Sequence, residues 1–294
     1  MCIRDRVVLV VLPPCAKIAP VEDPYTAALQ PLSDAFGAAP DSCKREGRWT
    51  LCAWRETDST NSRALQALRS APNASLDHVA LTVDRQTAGR GQQHRQWSQA
   101  SERDIALTLI LTRNLPSASP FALNLAVSLA ALEAIEAALH QIRGDALQIK
   151  WPNDIFWKGR KAGGILIENS WRGARWSSAV IGIGINLAGQ PAFPNATRLL
   201  SPDEINSDTV SNLRSAILDR TEHRLSELGH PEALLQQFHQ RLYGWGQAQR
   251  WQLDGTPVSG VLESIDLEGR LCVSSGGRQH CFSPGEVGWL GLEP

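Results

Sequence analysis

Lys150-Trp-Pro-Asn-Asp154, closely followed by Arg160-Lys-Ala-Gly-Gly-Ile-Leu-Ile-Glu168, is the stretch on which the reading of this chain turns. The 294 residues include 29 lysines and arginines, yet only five are lysine, and Lys150, Lys158 and Lys161 fall together here. A general replacement of lysine by arginine does not explain why lysine persists at this one place. A compact ammonium suits a tight pocket where a point charge meets a carboxylate or a phosphate, whereas guanidinium is a planar fork. Gly164 to Glu168 then reads as a strand.

Outward from that stretch the pattern is α+β. Val79 to Val83, Ile105 to Leu111, Leu147 to Trp151 and Ser177 to Leu187 read as strands. Asp58 or Ser59 can cap a helix through Ser62 to Ser70. Leu123, Val127, Ala131 and Ile135 recur at helical spacing within Pro120 to His140, whose apolar face should cover a sheet. A Pro-, Asn-, Gly- and Ser-rich connector over 188–208 precedes helices at Val210 to Leu228 and Glu232 to Leu242, with Pro231 suited to a first turn. Beyond Gly244 short β-like runs, Val258 to Ile265, Arg270 to Ser274 and Gln279 to Phe282, suggest a small barrel. The expected organisation is an irregular leader at 1–48, a main domain at 49–243 and a barrel at 244–294.

Two further segments carry unusual residue types. In Gln86-Thr-Ala-Gly-Arg-Gly-Gln-Gln-His-Arg-Gln-Trp97, Gly89 and Gly91 free the backbone while Arg90 and Arg95 supply cationic forks. That suits an anion clamp, although composition alone equally fits an exposed loop, and no Gly-Lys-Ser/Thr makes it a P-loop. Gly182-Ile-Gly-Ile-Asn186 is a strand whose glycines suggest close approach of a neighbour or ligand.

Taken in order with the turn Asp58-Ser-Thr-Asn61, these segments resemble the biotin–protein ligase family over roughly residues 50–294, Lys150-Trp-Pro-Asn-Asp154 being the most specific of them. Phe282-Ser-Pro-Gly-Glu-Val287 resembles the end of that family's C-terminal domain. The resemblance implies a class II synthetase-like mixed sheet with helices, plus a small SH3-like β-barrel. It implies an enzyme that uses ATP and Mg2+ to make biotinyl-5'-AMP and then moves biotin to a lysine of a biotin carboxyl carrier protein domain. Ser59, Thr60, Asn61 and Gln86 would meet the ureido ring; Arg90, Gly91 and Gln92 would meet the carboxylate or adenylate. Lys161 would lie between the biotin carboxylate and the α-phosphate, Trp97 near the adenine, and Asn186 at the biotin end. Arg95, Lys150, Asn153 and Gly164 complete the expected contact set. Asp154 would orient Lys161 or a metal, or take the proton of the acceptor lysine. No residue is assigned to the metal, and a homodimer is compatible with the resemblance.

The chain departs from the family pattern at Gln92, Gln93 and His94, where relatives commonly carry more basic residues, which weakens the expected phosphate grip. It departs again at Asp104-Ile-Ala, where relatives often carry Asn-Leu and an aromatic, which bears on how the preceding loop is seated.

A net charge of -1 supplies no global basic field, and the 48 leading residues are short for a winged helix-turn-helix and lack a basic recognition-helix pattern. No DNA binding is expected. Val7 to Leu12 is too short for a signal sequence or membrane span. The six cysteines, lacking CxxC spacing and secreted-domain density, read as reduced thiols of a cytoplasmic protein. A lipoate–protein ligase or octanoyltransferase of the same fold is the nearest rival, but its Arg-Arg-x-x-Gly-Gly-Gly pattern is absent. From another class, the barrel could mark a non-catalytic binding protein, against which Lys161, Arg90 and Asp154 argue.

Overall fold

The computed structural model describes residues 35–292 except 38, 72–74, 93–94, 114, 116–118 and 143. Val7 to Leu12, Cys2, Cys15, Gln93 and His94 therefore lie outside the described residues. An eight-stranded mixed sheet forms the main domain, built from β1 (Ser42–Glu46), β2 (Trp49–Thr57), β3 (Val79–Gln86), β6 (Ile105–Leu111), β7 (Leu147–Lys150), β8 (Asp154–Trp157), β9 (Arg160–Arg172) and β10 (Arg175–Ile185). Their spatial order is β1-β2-β3-β6-β10-β9-β8-β7. A separate two-strand hairpin, β4 (Gly89–Arg90) with β5 (Gln96–Trp97), lies between β3 and β6 in the chain.

Among the described strands β2 and β3 alone run parallel, because helix α1 (Thr60–Ser70) supplies the crossover between them. Ser59 rather than Asp58 caps α1, its hydroxyl accepting from the Ser62 amide. The whole of β6 is buried, since the sheet is covered on both faces. By the strand period of two, Ile105, Leu107, Leu109 and Leu111 pack with helix α2 (Pro120–Ala138), and Ala106 and Ile110 pack with Ala64 and Ala67 of α1.

Helix α2 is long and apolar enough to cross a membrane, but two-thirds of that apolar window is buried inside the protein. The sheet covers one side, and α3 (Ser207–Leu225) and α4 (Pro231–Gln240) cover another. That burial explains why α2 is apolar nearly all round. Arg224 of α3 pairs with Glu133 of α2, fixing the crossing with a charge-assisted contact.

The C-terminal strands β11 (Ala248–Leu253), β12 (Thr256–Ile265), β13 (Leu271–Ser275), β14 (Arg278–Phe282) and β15 (Val287–Leu292) pair antiparallel in the order β14-β13-β12-β11-β15. This is the small SH3-like unit expected beside an α+β domain.

Strand β1 falls within the stretch that the sequence leaves irregular. It is a polar edge strand, mostly exposed, so no apolar alternation announces it. Reduced thiols are corrected for four of the six cysteines: Cys43–Cys52 and Cys272–Cys281 are disulfides, with Cα separations of 4.2 and 4.1 Å. Each pair sits directly opposite across an antiparallel hairpin. Linear spacing does not reveal that register.

Candidate active site

Every residue assigned above lines one cavity of about 800 Å³ between the main sheet and the C-terminal strands. One end of it is built on α1. The Thr60 amide and hydroxyl both donate to Gln86 Oε1, at 2.9 and 3.1 Å, which turns the Gln86 Nε2 donor elsewhere with no partner among the described residues. Thr108, fully buried, places its hydroxyl 2.7 Å from both Thr60 Oγ1 and Asn61 Oδ1. A single hydroxyl proton serves one of these acceptors at a time. The network satisfies groups that would each cost about 1–3 kcal/mol if buried unpaired.

Gly182 and Gly184 each admit one side chain. A Cβ at Gly182 would overlap the amide of Asn61, and one at Gly184 would sit 2.5 Å from the Trp97 ring. The glycines of this strand therefore shape the cavity floor, and the close approach expected from the sequence is made by two other site residues. The buried Trp97 indole N–H has no partner among the described residues.

The cationic end comes from the hairpins. Gly91 N–H donates to Arg95 C=O at 2.7 Å and Arg95 N–H to Gln92 C=O at 3.0 Å, closing the tight turn that carries Arg90, Gln92 and Arg95 to the cavity wall. Asp104 seats this loop: Oδ2 accepts from the amides of Ala100 and Ser101, and Oδ1 accepts from those of Leu187, Ala188 and Gly189 at 2.8–2.9 Å. One buried carboxylate thus ties the basic loop to the connector after β10.

Lys161 is on strand β9, which begins four residues before the strand read from the sequence at Gly164. Its Nζ lies 2.5 Å from Asp154 Oδ1 on β8, and its backbone is clasped by Asn195 and Thr197 of the connector. Lys150 lies opposite Asp154 across the β7–β8 hairpin, whose turn contains a cis Trp151–Pro152 bond and Asn153, which donates to Ile165 C=O. The Lys150 ammonium faces Trp289 at 4.6 Å and Phe156 at 5.6 Å. Burial pushes its pKa below the ordinary lysine value, opposed by Asp154 and reinforced by Lys161 and Arg95. Gly164 leaves room beside Asp154 and Lys161, and Asn186 reaches the connector through Thr197 C=O.

Sequence reasoning expected a close approach at Gly182 and Gly184 without naming Asn61 and Trp97 as the neighbours, missed Thr108, and assigned nothing from the C-terminal strands. Trp251 and Trp289 line the same cavity, as does Tyr243 at their root. Thr108 had a signal, a lone hydroxyl in the otherwise apolar run Ile105 to Leu111. Trp289 had none, since its contact with Lys150 depends on how two separate sheets meet.

One cavity thus brings together a buried polar network, the cationic side chains of a hairpin and a lysine paired with a carboxylate. The chain belongs to the biotin/lipoate A/B protein ligase family, whose profile matches residues 54–186. It is 32% identical over 246 residues to the biotin–[acetyl-CoA-carboxylase] ligase of Mycobacterium tuberculosis, covering 80% of this chain and 89% of that one. The enzyme of the same name from Paracoccus denitrificans is 38% identical over 137 residues, 46% of this chain and 53% of the relative. The biotin protein ligase from Aquifex aeolicus in complex with biotin and ATP superposes with a TM-score of 0.64 at 25% identity, over 81% of this chain and 97% of that chain.

Proposed function

We propose that this chain is a biotin–[biotin carboxyl carrier protein] ligase: it activates biotin with ATP and transfers it to a carrier-domain lysine. The observation that carries the reading is the single cavity holding the Thr60–Gln86–Asn61 network at one end and the Lys161–Asp154 pair at the other. In the first step a biotin carboxylate oxygen attacks the α-phosphorus of ATP and pyrophosphate leaves. In the second the acceptor amine attacks the acyl carbon and AMP leaves. Two anions must approach each other in the first step, and the cations of Lys161 and Arg90 lower that repulsion. Gln86 Nε2 is aimed as a donor for the ureido carbonyl, because its Oε1 is already taken by Thr60.

Asp154 is the only carboxylate among the cavity-lining residues described. One carboxylate beside substrate phosphates is a donor set that suits Mg2+, which when bound would neutralise phosphate charge. The 2.5 Å contact favours Asp154 as the group that orients Lys161. Consumption of ATP supports cytoplasmic placement. The two disulfides stand against it, since that compartment keeps thiols reduced, and thiol titration after acid quench of cells decides.

The test is transfer itself: purified chain, MgATP, labelled biotin and a biotin carboxyl carrier domain. Label should appear on the carrier lysine, and Lys161→Ala should lower the rate by about 10²–10³ while circular dichroism stays unchanged. Near-normal transfer by that variant would move the role elsewhere, Lys150 being the first candidate.

A further inference from the structure

Glu168 ends the motif that contains Lys161, yet no role has been assigned to it. Strand periodicity puts it on the same face of β9 as Gly164 and Leu166, which line the cavity. Its two oxygens have different partners. Oε1 lies 2.8 Å from Arg90 Nη2, and Oε2 accepts from Asn61 Nδ2 at 3.0 Å. Asn61 belongs to the buried polar network on α1, while Arg90 belongs to the basic hairpin, so one carboxylate spans the two ends of the site.

Neither partner is used up by the contact. Asn61 Oδ1 is an acceptor for the Thr108 hydroxyl, so a flip of the amide would face Nδ2 to that oxygen's donor and lose the bond to Glu168, and its second N–H has no partner among the described residues. Arg90 gives Glu168 one nitrogen, and its Nε and Nη1 have no partner among the described residues. A guanidinium anchored at one nitrogen keeps a preorganised fork for an anion. Asn61 is buried and Arg90 is substantially exposed, so without Glu168 the arginine would lose most of its orientation.

We propose that Glu168 is a positioning residue: it holds Asn61 and Arg90 at once in the poses that meet the two ends of the biotinyl-adenylate. This rests on the biotin ligase reading. A glutamine at 168 can accept from one partner only, because its NH2 group would face the other partner's donor.

The experiment measures biotin affinity by calorimetry and biotinyl-adenylate release by stopped-flow fluorescence, in wild type, Glu168→Gln, Arg90→Ala and the double variant. Glu168→Gln, which keeps one partner and loses the other, should either weaken biotin binding or speed adenylate release by about tenfold, the scale of one contact to a charged group. In the Arg90→Ala background the glutamine oxygen is free to accept from Asn61, so Glu168→Gln should change neither biotin affinity nor adenylate release beyond Arg90→Ala alone. A merely structural role would lower Tm and give the same effects in both backgrounds, and that result overturns the proposal, as would unchanged affinity and release. Should Glu168→Gln fail to fold, Glu168→Asp, which keeps the charge but shortens the reach, carries the same cycle. A wild-type chain that forms no biotinyl-adenylate sinks the underlying reading; one that forms it while the Glu168 variants behave as wild type sinks this inference alone.

Discussion

The indole of Trp97 rests against Gly184, where an added methyl group would sit 2.5 Å from the ring. Separations under 3 Å from a Cβ force something to move, and here the obstacle is a rigid indole rather than a flexible chain end. Gly184→Ala should therefore displace Trp97 from the cavity floor, weaken binding of ATP at least tenfold and change the tryptophan fluorescence response to ligand. Gly229→Ala, where a Cβ meets nothing within 4 Å, is the matched control. Equal ATP affinity in the two variants would show that Trp97 does not shape the site.

Removal of the Asp104 carboxylate leaves five backbone amides without their acceptor, in two segments that both border the cavity. Unpaired buried donors cost about 1–3 kcal/mol each before relaxation and water entry reduce the sum. Asp104→Ala should lose about 3 kcal/mol or more in urea denaturation and raise the KM for both substrates. A change below about 1 kcal/mol would mean that water replaces the carboxylate without loss.

His239 ties helix α4 to the C-terminal sheet, its Nε2 accepting the Ile265 amide at 2.9 Å. Burial lowers its pKa, partly opposed by the Ile265 carbonyl. Between that lowered value and the ordinary 6.5 the unfolded chain binds more protons, so stability rises with pH. The contribution is full above about 6.5 and is lost as pH falls through the folded-state value. Denaturant midpoints from pH 8 to 5 should fall more steeply in wild type than in His239→Gln, whose amide oxygen accepts without titrating. Parallel slopes would remove His239 from the account.

Gln92 lines the cavity where relatives often place an arginine. A hydrogen bond to a charged group contributes about 1.5–3 kcal/mol and a neutral one about 0.5–1.5. Gln92→Arg should accordingly slow biotinyl-adenylate release about tenfold and reduce labelling of bystander proteins. Equal release rates would show that Arg90 and Arg95 already complete the clamp.

Much of this site could be read from the chain because its parts are local. Lys161, Asp154 and Lys150 lie in one pair of adjoining hairpins, and Ser59 to Asn61 sit at a helix start that the hydroxyl cap announces. What escaped depends on pairing between distant segments. Thr108 meets α1 only because β6 is central in the sheet. Edge strand β1 carries no alternation, and Trp289 reaches Lys150 across two sheets. Asp104 differs from the family pattern, but its five amide contacts still seat the loop, a result that depends on where the connector folds back.

Discrimination of biotin from another small acid in the condensation with ATP is the property on which this function rests. The most direct measurement is ATP–pyrophosphate exchange by the purified chain with MgATP, run in parallel with biotin and with lipoate. Gln86 and Asn61 offer donors suited to a ureido ring that lipoate lacks, so exchange should be rapid with biotin and near background with lipoate. Exchange supported by lipoate but not by biotin would contradict the account.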